Sequence, residues 1–245
     1  MSTADSDTIL QSVVNHLAII PDGNRRWAKS QGIFGTLKMY DQGADRAAEV
    51  IRAAFEHGVT TVSFWGSSAA NLTKRNGKEV EVLERIYSVF SQKLINEEDV
   101  HKHEVRVEII GKWKNLLGEA TIANLQKVVD DTKQYNKRRL VLLIGYDGVD
   151  ERSAAVESIL QTREDTDIDG NTLLRQHSWT GHIPDVDLII RTGAWEDPHN
   201  SVGFLSLLTD NTQYAFPQVL WPDFKVEKLQ EVLDDFNERE RRLGK

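Results

Sequence analysis

His16-Leu17-Ala18-Ile19-Ile20-Pro21-Asp22-Gly23-Asn24-Arg25-Arg26-Trp27 reads as a buried strand that ends in a turn and passes into a helix. Leu17–Ile20 is an apolar run too short for a buried helix, and Pro21, Asp22 and Gly23 are residues that stop a strand. Gly23 lets the backbone turn sharply or approach a ligand closely. Asn24 is expected to cap the helix that follows, whose free N–H groups and partial positive charge favour an anion. Arg25 and Arg26 add fork-shaped donors that match phosphate. Asp22 has the chemistry of a ligand for a hard cation such as Mg2+, which takes one or two carboxylates together with phosphate oxygens. On these residues alone, a capped helix carrying surface arginines reads equally well.

Outward from this stretch the same alternation recurs. Leu17–Ile20, Thr61–Trp65, Val105–Ile110, Leu140–Gly145, Leu188–Arg191 and, more weakly, Gln213–Phe216 are short apolar runs with turn residues around them. Between them Ala47, Val50, Ile51, Ala54 and Phe55 share one helical face, as do Val80, Leu83 and Ile86, then Leu125, Val128 and Val129, then Leu229, Val232, Leu233 and Phe236. Strands alternating with helices imply an α/β fold: one domain with a mainly parallel six-stranded sheet surrounded by helices. Ligands bind such sheets beyond the carboxyl ends of the strands. No repeat, linker or low-complexity tract divides the 245 residues. Residues 1–15 are expected to be a flexible N-terminal segment and 16–245 the folded domain.

Composition removes several function classes. There is no cysteine, hence no disulfide, thiolate metal site or cysteine nucleophile. The net charge of −8 disfavours nucleic acid as a partner. No apolar run reaches the roughly 20 residues that span a bilayer, and the acidic, polar start lacks the pattern of a signal peptide. A cytoplasmic location is expected. Neither the P-loop nor the dinucleotide glycine pattern occurs, which counts against a nucleotide enzyme on a generic α/β sheet.

His16–Gly32 (HLAIIPDGNRRWAKSQG), then Asp187–Gly193 (DLIIRTG), Leu220–Phe224 (LWPDF) and Arg239–Gly244 (RERRLG), in that order, resemble the signatures of the cis-prenyltransferases, the undecaprenyl diphosphate synthase-like isoprenyl transferases, as a divergent member. The resemblance runs from about His16 to the C-terminus. It implies a homodimer and an apolar tunnel for a growing chain. It also implies Mg2+ and two substrates, an allylic prenyl diphosphate and isopentenyl diphosphate. By the same resemblance Asp22 organises the metal, with Asn24 and Asn71 beside it as catalytic residues. Gly23, Arg25, Arg26 and Trp27 belong to the diphosphate cradle, Trp27 as a packing residue. Arg75 lies on a flexible second loop, and Arg191, His199 and Ser201 hold isopentenyl diphosphate. Arg242 and Gly244 reach the site across the dimer. Peripheral membrane contact would serve a lipid product.

The chain departs from the family pattern at several points. Met39-Tyr40 stands where the family has Gly-His, and Ser67-Ser68-Ala69-Ala70-Asn71-Leu72 lacks the glutamate and tryptophan of the second signature. His199-Asn200 replaces a common arginine, and Gln213 replaces a glutamate that helps bind Mg2+. Asp223 is expected to cap the last helix. The leading expectation is a prenyl diphosphate synthase forming cis double bonds. The alternative is a catalytically weak prenyl-diphosphate-binding subunit that supports a partner synthase.

Overall fold

The computed structural model describes residues 14–33, 36–75, 77–96, 98–162 and 167–239. Six strands form one sheet: β1 His16–Ile20, β2 Thr61–Ser67, β3 Val105–Ile110, β4 Arg138–Ile144, β5 Leu188–Arg191 and β6 Gln213–Ala215. Every pairing is parallel, in the order β3-β4-β2-β1-β5-β6. The expected sheet is therefore present and wholly rather than mainly parallel. The helices are α1 Asn24–Ser30, α2 Thr36–Glu56, α3 Ala69–Thr73, α4 Gly77–Asn96, α5 Glu98–Lys102, α6 Trp113–Leu116, α7 Glu119–Thr132, α8 Gly148–Thr162, α9 Gly170–His177 and α10 Val226–Glu238, with a 3-10 turn at Trp221–Asp223. None of the described helices is long and apolar enough to cross a membrane.

The apolar runs follow from burial on both faces. All five residues of β1 are buried. Leu17 and Ile19 join a core with Val50 and Ala54 of α2, Leu83 of α4, Val128 of α7 and Phe236 of α10. Ala18 and Ile20 point the other way, into a second core with Tyr146, Ile183 and Phe204, as the two-residue period of a strand requires. The apolar faces expected for the helices at 47–55, 80–86, 125–129 and 229–236 thus lie on one side of the sheet. Val14 is buried, and the Asn15 N–H donates to Asp187 Oδ2 at 2.8 Å. The chain is thus already packed two residues before β1; residues 1–13 of the expected flexible segment lie outside the described residues.

Strand boundaries differ from the sequence reading where charge or small polar residues hide a strand. β4 begins at Arg138, two residues before the apolar run, and β2 continues through Gly66 to Ser67. β6 ends at Ala215, before Phe216. The order of the sheet matters most for function. The chain leaves the central strand β1 toward β2 on one side and later returns to place β5 on the other, so the loops after β1, β2 and β5 open side by side at one end.

Candidate active site

The first loop is held by its backbone. Gly23 has φ 106°, and a Cβ there would meet Leu220 Cδ2 at 2.7 Å, so a side chain is excluded by both conformation and space. Asp22 C=O accepts the Trp221 N–H at 3.1 Å and the Thr192 hydroxyl at 2.8 Å. The turn is thereby tied to the chain after β5 and to the Trp221 turn. This geometry overturns the expected Asn24 cap. Gly23 is itself the N-cap of α1, with no side-chain capping bond, and Asn24 Nδ2 donates to Pro21 O at 3.0 Å. Asn24 Oδ1 is buried with no hydrogen-bond partner. Its place is made by Gly43, whose Cβ would lie 2.7 Å from it. Because α1 has only seven residues, its dipole is short, and attraction for an anion falls to the arginines more than to the helix.

Asp22 and four arginines, Arg25, Arg26, Arg75 and Arg191, line a cleft of about 530 Å³, together with Tyr40, Trp65, Ser67, Ser68, Asn71 and Ser201. Arg191, at the carboxyl end of β5, donates from Nη2 to Asp22 Oδ2 at 3.1 Å and from Nη1 to the His199 carbonyl at 2.8 Å. Its side chain is 10% exposed against 41% for Asp22, and its Nε–H is buried without a partner. Arg26 donates to the Gly193 carbonyl at 2.5 Å, lies 3.5 Å from Asp22 Oδ1, and sits over the Trp195 ring. One carboxylate therefore holds two guanidiniums in place. Across the cleft, Arg75 is hydrogen-bonded to the Tyr40 hydroxyl, and Glu79 pairs with Arg25 at 2.8 Å and with Arg75 at 3.8 Å. The Met39-Tyr40 departure thus supplies a partner for Arg75, while Met39 itself packs against Trp27.

The second loop is fixed by a capping box. The Asn71 N–H donates to Ser68 Oγ at 3.1 Å, and the Ser68 N–H donates to Asn71 Oδ1 at 3.3 Å. This leaves the Asn71 Nδ2 amine at the cleft. The third loop is strained: Val202 and Leu205 have φ 40° and 50°, a region costly for branched side chains. The Val202 carbonyl accepts the Gly148 N–H at 3.0 Å, and Phe204 stacks on Trp65 with centroids 5.3 Å apart. These contacts hold Ser201 at the rim.

Of the residues singled out from the sequence, Asp22, Gly23, Asn24, Arg25, Arg26, Asn71, Arg75, Arg191 and Ser201 line this cleft together. His199 lines a smaller adjoining recess of about 220 Å³ with Trp195 and Asp197, its ring Nδ1 2.7 Å from the Asp197 carbonyl. Trp27 lines neither; it is buried against Ala28 and Met39. Arg242 and Gly244 lie outside the described residues. Gln213 stands at the amino end of β6, where its Oε1 accepts from Arg239 at 3.2 Å. Asp223 does not cap the last helix, since it ends the 3-10 turn Trp221–Asp223 and Lys225 takes the N-cap position. Tyr40, Trp65, Trp195 and Glu79 escaped the sequence reading. Only the Ser68-to-Asn71 spacing carried a local signal, that of a capped turn.

Asp22 is the one carboxylate among the described lining residues, and no group of three metal-type side chains occurs among the described residues. A half-exposed single carboxylate suits a Mg2+ ion whose other ligands are substrate phosphates and waters. Behind the cleft, and sharing Pro21, Asn24, Tyr40, Asn71 and Arg75 with it, lies an apolar cavity of about 180 Å³ bounded by Phe64, Leu83, Tyr87, Phe90 and Ile144. A second apolar pocket of about 70 Å³ follows, with Phe90 lining both. The two cavities share this one side chain, and the open tunnel that the resemblance implies is not seen among the described residues.

Comparison with known proteins agrees with this geometry. Residues 20–244 match the prenyltransferase family model described as undecaprenyl diphosphate synthase. The chain is 30% identical over 238 residues to an isoprenyl transferase of Thermus thermophilus, covering 94% of this chain and 88% of that one. It is 33% identical over 239 residues to a geranylgeranyl-diphosphate-specific tritrans,polycis-undecaprenyl-diphosphate synthase of Methanocaldococcus jannaschii, covering 94% and 82%. The lavandulyl diphosphate synthase of Lavandula x intermedia, solved with dimethylallyl diphosphate, superposes with a TM-score of 0.85 at 24% identity, covering 95% of this chain and 98% of that one, which bears on the fold. A matching family model over nearly the whole chain, on a sheet that gathers Asp22, Arg26 and Arg191 at one end, places this protein in the undecaprenyl diphosphate synthase family of isoprenyl transferases.

Proposed function

We infer that the chain joins an allylic prenyl diphosphate to isopentenyl diphosphate in the Asp22–Arg191 cleft, with Mg2+, and forms cis double bonds. The observation that carries this is the junction of two unlike spaces: a cleft with four arginines and one carboxylate adjoins an apolar cavity, with Asn24, Tyr40, Asn71 and Arg75 lining both. A diphosphate head with a hydrocarbon tail has that shape and polarity. The allylic tail lies in the cavity and its diphosphate among Arg25, Arg26 and Arg75. The isopentenyl diphosphate is held by Arg191 and Ser201.

The residues act by positioning and charge. When an anionic head enters, Arg26 and Arg191 turn from Asp22 to phosphate oxygens, and Arg25 and Arg75 turn from Glu79. Two carboxylates so keep the arginines ordered. As the C1–O bond of the allylic substrate breaks, these guanidiniums stabilise the charge gathering on the departing diphosphate. The alkene electrons of isopentenyl diphosphate form the new carbon–carbon bond, and loss of a proton returns an electron pair as the new double bond. Mg2+ held by Asp22 and phosphates would add charge stabilisation at the leaving oxygens. The retained Asp22 speaks for an active enzyme over a supporting subunit.

An assembly of two copies fits the reading. Val149, Val156 and Leu160 form an exposed apolar stripe along α8, and β6 ends the sheet with an unpaired edge.

The test is binding by calorimetry of a thio-substituted allylic diphosphate that cannot ionise. Wild type binds more tightly with Mg2+ than without it. Asp22→Ala loses that increment, and Arg191→Ala weakens isopentenyl diphosphate at least about tenfold. Binding indifferent to both substitutions would overturn the assignment.

A further inference from the structure

The amino-terminal end of the sheet, opposite the active site, carries a second cleft of about 510 Å³ lined by Arg106, Lys137, Arg138, Arg139, Arg175 and His182. In a chain of net charge −8 such a concentration runs against the average. The parallel register sets Arg106 directly beside Arg139, a juxtaposition that repels unless an anion lies between. Glu108 takes that place, with Oε1 at 3.1 Å from Arg106 Nε and 3.2 Å from Arg139 Nε, and Oε2 at 2.5 Å from His182 Nε2. Burial pushes the Glu108 carboxyl up, but the His182 hydrogen bond and the two arginine charges outweigh it and hold it below the ordinary carboxylate range. Glu104 pairs with Lys137 and Asp185 with Arg175. Three carboxylates therefore face five permanent cations. The fifth, Arg138, stacks on Phe55 at 5.5 Å.

Arg138 is also the side chain common to this cleft and to the largely apolar pocket of about 70 Å³ walled by Phe55, Leu94, Val100, Val105 and Leu140, with Arg52, Glu56 and His103 also lining it. A basic cleft with spare guanidinium donors adjoins an apolar hole, and one residue borders both. Structural closure of the sheet end accounts for the Glu108 triad. It does not call for the Arg138 guanidinium to stand at the lip of this pocket. We propose that this end of the sheet binds an anionic amphiphile: a phosphate-type head among Arg106, Lys137 and Arg138, and a short single apolar tail inserted beside Phe55. The head-binding cleft lies at the opposite end of the sheet from the active site and does not depend on the reaction assigned there; the tail pocket adjoins the cavity behind the active site at Phe90, which lines both.

The experiment is calorimetric titration of the whole chain with decyl phosphate, kept below its micelle concentration, and with inorganic phosphate. Arg191→Ala protein, weakened at the active site, still binds decyl phosphate. Adding Arg138→Gln weakens that binding at least tenfold. Lys137→Gln, at a side chain 65% exposed and harmless to folding, weakens it severalfold. Inorganic phosphate binds at least tenfold more weakly than decyl phosphate, because it forgoes tail burial. Loss of all binding in Arg191→Ala, unchanged affinity in the Lys137 variant, or equal affinity for inorganic phosphate would each overturn the proposal.

Discussion

His16, at the start of β1, is fully buried, with Nδ1 2.8 Å from the Pro184 carbonyl and Nε2 2.8 Å from Ser63 Oγ. A carbonyl only accepts, so the ring donates from Nδ1 and accepts the serine hydroxyl at Nε2. That neutral form is the one burial favours, and the pKa falls from 6.5 to about 4. Since the folded value lies below the unfolded one, the stabilisation is complete above pH 6.5 and is lost as the pH falls toward 4, in total roughly 3 kcal/mol. Urea unfolding should show the stability gap between wild type and His16→Gln shrinking by about that much from pH 7 to pH 4; a constant gap would refute the assignment. Other residues show where sequence stops being informative. Asp22, Arg26 and Arg191 were singled out by the family signatures, and the structure brings them to one cleft because each sits at or past a strand's carboxyl end. The Asn24 cap misread a turn in which Gly23 adopts φ 106°. The Tyr40–Arg75 bond joins residues 35 apart, a contact that no local pattern encodes.

At the scale of elements, two supports of the site are open to direct test. Gly148 opens α8 against the strained third loop, and a Cβ there would fall 1.9 Å from the Gly203 carbonyl oxygen. Gly148→Ala must push that loop away. It should cost about 1–3 kcal/mol in urea unfolding and lower kcat/KM with isopentenyl diphosphate, because Ser201 moves with the loop. Phe90 of α4 separates the two apolar cavities. Phe90→Ala should join them and lengthen the product by at least one five-carbon unit, read by chromatography. Its cost in stability should be about 2–3 kcal/mol, under the range for a fully buried ring. Sequence periodicity located the apolar faces of α4 and α2, while a tunnel was implied only by the family resemblance. It could not show that one ring divides the space, since that depends on how two helices pack over β4. The strand ends were misjudged for a related reason: Arg138 and Arg139 belong to β4, yet their charged heads sit at the sheet's rim while their stems pack on it.

The whole molecule is one parallel sheet with different chemistry at its two ends. The strand–helix alternation made the sheet, its single-domain character and its ligand-binding end readable from the chain. Strand order came only with the structure, because it rests on which crossovers pack beside β1. That order explains why residues as distant as Asp22, Asn71 and Arg191 meet: β2, β1 and β5 are neighbours, so their carboxyl-end loops are too. The central claim is that this meeting joins two prenyl diphosphates. The most direct test incubates the protein with labelled isopentenyl diphosphate, Mg2+ and dimethylallyl, geranyl or farnesyl diphosphate in turn, with Asp22→Ala beside it. Wild type should yield a labelled product longer than its primer, and Asp22→Ala at least about a hundredfold less. Tight binding of the primers with no product from any of them would contradict the claim and identify a prenyl-diphosphate-binding subunit that works with a partner synthase.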